Sequence, residues 1–385
     1  MKKFYFSLLV IFIFLAVPAL AKTTASVVSK PSVAWKPVVP DGYTQITWAK
    51  APGIVTFFKA PDGNGSIDFL TRIYLPQNQI GFIASSSMPF DWGIADPNFA
   101  SGIATSGPIV SDTDAIDLFM TDSPTIDAIA TSSFHNFAFE RLVAEVAKGT
   151  ATTSKFVWNA PFFNITNSVT DLSLALKSTV GTTTLITSGS RPAADMAEER
   201  RMLIINNQTG SAAIEDFDPV TFVSSSIGDQ ALEGFAPTVA KNDNASGATG
   251  RLFLGVSTSS KELVVYCSQQ ATVQEASDAL LAAGVPVEHQ LEADGGGSAT
   301  CGYNLPGQFF VEPARTLPLL MGAVTILERG TATTDGLNVR SGPSTKYSIV
   351  AKLTKGEVVR VYEERNGWFR IGDGRWVSKT LIKKI

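Results

Sequence analysis

The sequence is poor in the residues that bind metals or build hydrolytic triads. It has two histidines, His135 and His289, and two cysteines, Cys267 and Cys301. No Cys-x-x-Cys or His-x-x-x-His spacing occurs, so we expect neither a metal site nor a cofactor. No Cys–His or Ser–His combination stands at a recognisable spacing, which argues against a cell-wall amidase or peptidase.

Charge is also scarce. Charged residues make up 17% of the 385 positions, and the formal net charge is −4. The chain therefore lacks the basic excess that marks nucleic-acid-binding proteins, and we exclude nucleic acid as a partner. A chain of this length favours two domains.

Long apolar runs are absent except at the start. Lys2 and Lys3 precede an apolar stretch over 4–17, and the small residues Ala19 and Ala21 follow it. This order predicts a signal peptide over 1–21 and an exported protein, periplasmic or extracellular. No later segment is long enough to cross a bilayer, so we expect no transmembrane segment after processing.

The two cysteines lie in the exported part, where oxidation is permitted. Either Cys267 and Cys301 form a disulfide, or each packs as a small apolar thiol. Cys267 ends a predicted strand and Cys301 follows a glycine-rich turn. A bond between them would fix that turn to a sheet.

The patterning predicts an α+β fold: a mixed β-sheet domain with packed helices, followed by a small all-β SH3-like barrel. Predicted helices cover 136–148 and 272–283, the second opened by the capping-box spacing of Thr272 and Glu275. Turn signals at short intervals indicate the barrel. The predicted organisation is signal peptide 1–21, flexible leader 22–41, large domain 42–312, linker 313–330 and barrel 331–385.

The segment from Asp294 to Ser298, Asp-Gly-Gly-Gly-Ser, closes the strand–helix–strand unit that contains the second helix. Three consecutive glycines disfavour helix and strand, and they suit a tight turn or the close approach of a ligand. An acid before them and a hydroxyl after them add hydrogen-bonding groups at one place. The combination indicates a site for a phosphorylated or sugar-like ligand.

The C-terminal part resembles bacterial SH3 domains along its length. The resemblance rests on the stretches 337–344, 356–357, 367–371 and 374–377. Membership implies an envelope module that contacts peptidoglycan. Tyr362, Trp368 and Trp376 then form a ligand surface, or alternatively fill the small barrel core.

Residues 42–311 resemble the phosphodiester glycosidase family, which removes a sugar from a phosphodiester. The resemblance is carried, in the family's order, by the strand 156–163, the strand 251–255, the helix 272–284 and the turn 294–298. It implies an exported hydrolase of sugar-1-phosphodiesters, acting on phosphate-linked envelope glycans.

Each site residue has a functional and a structural interpretation. Asp294 serves as general base or orients water, or it shapes the turn. Glu292 is expected on the same strand face as Asp294 and supplies a second carboxylate. Arg251 binds the phosphate through its planar guanidinium, or it is an ordinary strand residue. Asn159 binds a sugar hydroxyl, or it is a turn residue.

The glycine turn adds the remaining expected contacts. The amides of Gly295, Gly296 and Gly297 form an anion cradle, or they are simply a structural turn. Ser298 donates to a ligand oxygen, or it caps the turn. The predicted function is catalytic, and the alternative is a non-catalytic protein that binds envelope glycans.

Overall fold

A computed structural model of the protein describes residues 35–48, 51–61, 66–84, 133–135, 156–160, 162–163, 169–180, 183–187, 199–218, 221–222, 228–237, 247–303, 309–314, 317, 319–372 and 374–385. Residues 37–385 form one compact unit, separate from residues 1–36. The predicted signal peptide, most of the predicted leader and the predicted helix 136–148 lie outside the described residues.

The chain up to Thr325, here called the large domain, is built from antiparallel strands. They are β1 Thr44–Gln45, β2 Ile54–Lys59, β3 Asp68–Tyr74, β4 Asn78–Ala84, β5 Ser133–His135, β6 Phe156–Asn159, β7 Val169–Asp171, β8 Leu176–Val180, β9 Thr183–Thr187, β10 Arg200–Asn206, β11 Ser211–Asp216, β12 Gln230–Phe235, β13 Thr249–Val256, β14 Glu262–Ala271, β15 Gln290–Gly295, β16 Cys301–Tyr303, β17 Phe309–Val311 and β18 Leu319–Thr325.

Two sheets form the body of this domain. The first has eleven strands, in the order β1-β2-β3-β14-β13-β15-β12-β10-β11, with β8 joining β12 to β9. The second has five strands, in the order β17-β16-β6-β18-β4. One hydrophobic core takes side chains from both sheets, among them Trp158, Leu252, Cys267 and Met321. The sheets therefore pack face to face, as strand alternation allows.

A disulfide joins the two sheets. Cys267 in β14 of the first sheet is bonded to Cys301 in β16 of the second, with a Cα–Cα distance of 6.4 Å. Both residues are fully buried in the shared core. The bond thus fixes one sheet against the other rather than joining neighbouring strands of one sheet.

The helix α1, Val273–Ala282, covers the outer face of the first sheet. Thr272 and Glu275 form the predicted capping box, in which each side chain satisfies an amide at the helix start. Ala276 and Leu280 pack on Phe253 and Val264 of the sheet. None of the helices in the described residues is long and apolar enough to cross a membrane.

The predicted α+β class is wrong. The described residues contain one complete α-helix, α1, and the large domain is an antiparallel two-sheet structure rather than a mixed sheet with packed helices. The helix pattern behind Thr272 is correct, but it is an isolated crossover between β14 and β15. Short apolar runs bounded by turn residues dominate the rest of the sequence, and they form strands.

The C-terminal barrel has eight strands: β19 Glu328–Ala332, β20 Leu337–Arg340, β21 Ile349–Leu353, β22 Val358–Val361, β23 Glu363–Arg365, β24 Trp368–Gly372, β25 Arg375–Ser378 and β26 Ile382–Lys384. They form the sheets β22-β19-β26 and β21-β20-β25-β24-β23. Aliphatic residues and Phe369 fill the barrel core.

Most of the predicted linker, 313–330, is not a linker in the residues that the structure describes. Residues 319–325 form β18, which lies between β6 and β4 in the second sheet. Leu320, Met321 and Ala323 are fully buried there. The apolar run that follows Pro318 is a buried strand, and only Ile326 and Leu327 lie between β18 and β19.

The barrel is fastened to the large domain by polar contacts. The buried guanidinium of Arg329 donates to the carbonyls of Asn207 at 3.1 Å and Leu75 at 3.2 Å, and also to that of Pro76. The Tyr362 hydroxyl donates to Gln79 Oε1 at 2.7 Å. Burial, followed by the like charge of Arg360, lowers the pKa of Arg329 to about 10, so the group stays protonated at neutral pH.

Replacing Arg329 by alanine tests this junction. The change removes a donor from three carbonyls, those of Leu75, Pro76 and Asn207, and we expect the free energy of unfolding to fall by about 2–3 kcal/mol. Chemical denaturation measures the loss. The matched control is Lys352→Ala on an exposed position of β21, for which we expect little change. Equal effects of the two variants would contradict the junction's importance.

The disulfide gives a second prediction. It closes a loop with a sequence separation of 34 residues and links two sheets. Replacing both cysteines by alanine should lower the free energy of unfolding by about 2–4 kcal/mol. Thermal and urea unfolding, with and without reductant, provide the measurement. Reductant should destabilise the native protein and leave the double variant unchanged, and an insensitive native protein would refute the prediction.

Candidate functional site

The carboxylate of Asp294 is the centre of a hydrogen-bonded cluster at the end of β15. Its Oδ1 accepts from the amide of Gly295 at 2.7 Å and from the Ser298 hydroxyl at 3.2 Å. Its Oδ2 accepts from Asn159 Nδ2, which lies in β6 of the second sheet. Since Asp294 is only 2% exposed, these donors replace water around its charge.

Asn159 is held in turn by the chain that follows the glycine turn. Its side-chain Oδ1 accepts from the backbone amide of Thr300 at 2.9 Å, and its backbone amide donates to the Thr300 carbonyl at 3.3 Å. Thr300 directly precedes Cys301 of the disulfide. Asn159 thus bridges the two sheets beside their covalent link, and its amide orientation is fixed from both ends.

Arg251 and Glu292 form a buried ion pair. Arg251 Nη1 lies 2.7 Å from Glu292 Oε1, and the two side chains are 1% and 3% exposed. The guanidinium also donates from Nε to the Ala271 carbonyl at 3.2 Å and from Nη2 to the Gly247 carbonyl at 3.3 Å. Arg251 is therefore anchored by protein groups rather than presented as a surface cation.

The expectation that Glu292 and Asp294 share a strand face is wrong. Leu252 pairs with Asp294 and Phe253 with Glu292, so the register of β13 against β15 shifts at this point and Ala293 is the extra residue. Such a bulge cancels the alternation of side chains. Asp294 therefore faces the second sheet with Leu252, whereas Glu292 lies with Arg251 and Phe253 on the face that carries α1.

The Asp294 cluster and the Arg251–Glu292 pair approach each other at Gly295. Its amide donates to Asp294, and a Cβ added there would lie 3.2 Å from Glu292 Oε1 and 3.6 Å from Arg251 Nη1. A side chain at this position would lie against the ion pair, and Glu292 would have to shift by a few tenths of an ångström to admit it.

The glycine turn itself forms a short 3₁₀ segment, Gly296–Ser298. Gly296 has a φ of +69°, a conformation that glycine adopts without strain. Gly295, Gly296 and Gly297 are half-buried, whereas Asp294 and Ser298 are buried. The turn is thus where this cluster meets solvent. The segment can offer backbone amides to an anion from that side.

The sequence analysis missed two features of this region. Thr300 fixes Asn159, and no local pattern marks it. Arg200 and Glu233 form a second ion pair at 2.7 Å, both almost fully buried. Glu233 lies in β12, a strand whose residues are all buried. A charged residue inside an apolar run of this kind is the sequence signal that could have revealed the ion pair. Phe235 in the same strand pairs with Glu292.

No metal site accompanies these residues in the part of the chain that the structure describes. There, no three His, Cys, Asp or Glu side chains lie close enough together to hold a metal ion. What the arrangement offers chemically is a fixed carboxylate, a hydroxyl and a glycine backbone on one side, and an anchored guanidinium–carboxylate pair on the other.

The C-terminal barrel is a bacterial SH3 domain. Residues 335–383 match the bacterial SH3 domain family, which confirms the prediction from the sequence. No curated protein shares significant sequence similarity with the chain. Three aromatics were expected either to form a ligand surface or to fill the barrel core. Tyr362 and Trp376 are buried, and Trp368 is half-buried.

Solved structures resemble the protein only weakly. The catalytic domain of zebrafish N-acetylglucosamine-1-phosphodiester alpha-N-acetylglucosaminidase, auto-inhibited by its pro-peptide, has 10% identity and a TM-score of 0.43, over 71% of this chain and 84% of that one. A hypothetical protein from Synechocystis has 10% identity and a TM-score of 0.34, over 74% and 64%. A putative exported protein from Burkholderia pseudomallei has 9% and 0.25, over 69% and 75%.

At these scores the likeness carries no argument about function. Membership of the phosphodiester glycosidase family therefore stays a prediction from the sequence. The assignment of roles to the site residues rests on the geometry of this chain.

A double-mutant cycle on Arg251 and Glu292 tests the ion pair. Arg251→Met or Glu292→Met alone leaves one buried charge unpaired, and each should cost about 3–5 kcal/mol of unfolding free energy. The double variant should cost clearly less than the sum, because neither charge is then stranded. Urea denaturation of the four proteins gives the coupling.

The exposed pair Lys379–Glu364, at 2.6 Å, is the matched control. Its coupling should be about 1 kcal/mol or less, since both partners reach solvent. Coupling of the same size at the two pairs would mean that burial adds nothing at Arg251 and Glu292.

Proposed function

We propose that this protein is an exported hydrolase of sugar-1-phosphodiesters, with the SH3 domain holding it at envelope glycans. Two lines support the proposal: the ordered motifs that resemble those of the phosphodiester glycosidase family, and the contact of two of those motifs in space. Asn159 ends the first motif strand, and its side chain donates to Asp294, which opens the glycine turn.

The observation that carries the proposal is the contact of Asn159 with Asp294. These residues are 135 positions apart in sequence and belong to different sheets, yet their side chains are hydrogen bonded in a buried cluster. A carboxylate that only shaped the turn would need no partners beyond the Gly295 amide and the Ser298 hydroxyl. The added amide from another sheet fixes the orientation of Asp294, which chemistry at a sugar ring requires.

The proposed reaction is hydrolysis at the anomeric carbon. Water adds to that carbon, the carbon–oxygen bond to phosphate breaks, and the phosphomonoester leaves. Positive charge develops on the ring and negative charge on the leaving group. Asp294 stabilises the ring or receives the proton of water, and the amides of Gly296 and Gly297 hold the phosphate. The Gly295 amide and the Ser298 hydroxyl, which donate to Asp294, keep that carboxylate in place.

Arg251 and Glu292 receive revised roles. Because they are paired with each other behind Gly295, we assign them the positioning of the glycine turn. Arg251 then acts on the phosphate through the backbone that it supports. This differs from direct capture by an exposed guanidinium.

A non-catalytic glycan-binding protein is the second candidate. The observation that favours it is the burial of the side chains: Asp294 is 2% exposed and Glu292 3%. In that case the half-buried glycine turn alone contacts the ligand, and the carboxylates only support it. Binding without turnover is the result that distinguishes this candidate.

The test is incubation of the purified full chain with a panel of sugar-1-phosphodiesters and with peptidoglycan. We expect release of free sugar and a phosphomonoester from the former. Asp294→Asn should lower kcat by about 100-fold or more, since the carboxylate then loses its charge and its ability to take a proton. The control is Glu288→Gln, an exposed carboxylate outside the site.

Thermal unfolding of each variant separates loss of chemistry from loss of fold. Ser298→Ala is the milder second variant, because it removes one hydroxyl and should lower kcat by about tenfold. Binding of the diesters without sugar release would reject catalysis in favour of the glycan-binding candidate. Release of peptides from peptidoglycan would reject both candidates.

A further inference from the structure

A cavity that shares no residue with the Asp294 cluster or the Arg251–Glu292 pair lies between the first three strands and α1. It has a volume of about 270 Å³. Its polar lining includes the carboxylates of Asp41, Asp68, Glu275 and Asp278, and a single cationic side chain, Lys59. The lining is thus strongly acidic in a chain that has few charged residues overall.

The acidic side chains come from opposite walls. Glu275 and Asp278 stand three positions apart on α1, so they share a face of the helix. Asp68 begins β3, and Asp41 precedes β1 in a turn in which Gly42 has a φ of +75°. Carboxylates on both sides produce a negative potential inside the cavity that attracts cations.

Tyr43 adds an observation that is independent of charge. Its side chain lines the cavity and is only 9% exposed, and its ring belongs to the core under α1. Within the described residues, no hydrogen bond of its hydroxyl is found, although Asp68 lies close enough to interact with it electrostatically. The hydroxyl is therefore available to a polar group that enters the cavity.

The protonation states support a role as donor and acceptor. Burial, followed by the charge of Asp68, raises the pKa of Tyr43, so the hydroxyl keeps its proton. Burial also raises the pKa of Asp68, even though the Tyr266 hydroxyl donates to it at 2.8 Å. A cation in the cavity would offset the cost of that buried charge.

We propose that this cavity binds a small organic cation carrying a primary ammonium and hydroxyl groups, for which an amino sugar is the simplest form. A bare metal ion fits poorly, since no three carboxylates among the described residues lie close enough to share one. An ammonium group instead distributes three donors among separated acceptors. The neutral groups of Tyr43, Ser66 and Gln270 provide partners for hydroxyls.

The volume sets the size of the ligand. Pockets for drug-sized molecules span about 300–1,000 Å³, so this cavity accepts a single small ring or short chain. The Ala279 and Ala282 side chains on α1 leave this space open, since both are small and line the cavity. The site goes beyond the proposed hydrolase function and does not depend on it.

Calorimetric titration of the full chain with glucosamine tests the proposal, and N-acetylglucosamine is the matched neutral probe. We expect glucosamine to bind and N-acetylglucosamine to bind at least about tenfold more weakly, because its nitrogen carries no charge. Raising the salt concentration should weaken glucosamine binding, since part of the cavity is open to solvent.

Variants then assign the binding to the cavity. Tyr43→Phe removes only the hydroxyl and should weaken glucosamine binding about fivefold. Asp278→Asn should weaken it about two- to fivefold, as expected for an exposed carboxylate. Glu288→Gln changes charge equally, outside the cavity, and should leave binding unchanged. Circular dichroism and thermal unfolding confirm that each variant is folded.

Three results would overturn the proposal. Glucosamine fails to bind, or N-acetylglucosamine binds as tightly as glucosamine, or Glu288→Gln weakens binding as much as Asp278→Asn does. The first removes the ligand class, the second shows that charge is not recognised, and the third shows that only the overall charge of the protein matters.

Discussion

The side-chain hydrogen bond between Asn159 and Asp294 is the interaction on which the site depends. It connects the second strand layer to the first at the place where β15 ends. Both residues are buried, so neither polar group can be separated from its partners without a large cost. The geometry of the carboxylate therefore depends on how the two sheets pack. The disulfide of Cys301, one residue beyond Thr300, holds the same two layers together.

The sequence predicted local features of this site well and its faces poorly. The capping box at Thr272 and the glycine turn are encoded within a few residues, so their patterns identify them. The bulge at Ala293 is different, since it is a mismatch between two strands, and nothing within 290–295 reveals it. Strand alternation therefore predicted that Glu292 and Asp294 share a face. The bulge in the pairing with β13 places them on opposite faces instead.

The same reasoning explains the larger errors. Residues 319–325 lie between proline and turn signals and were predicted to be linker, but burial between β4 and β6 makes them a central strand. The α+β prediction generalised from one correct helix to a domain that consists of antiparallel sheets. Because β18 is part of the large domain, the SH3 domain follows it almost directly and is hydrogen bonded to the large domain through Arg329.

The most direct test of the account is hydrolysis of a sugar-1-phosphodiester in water labelled with oxygen-18. Attack at the anomeric carbon, with Asp294 facing the ring, predicts that the label enters the released sugar and leaves the phosphate unlabelled. Label in the phosphate would mean that the phosphorus–oxygen bond is cleaved. That result would contradict the assignment of Asp294, and with it the central claim that the cluster around Asn159 is built for chemistry at a sugar.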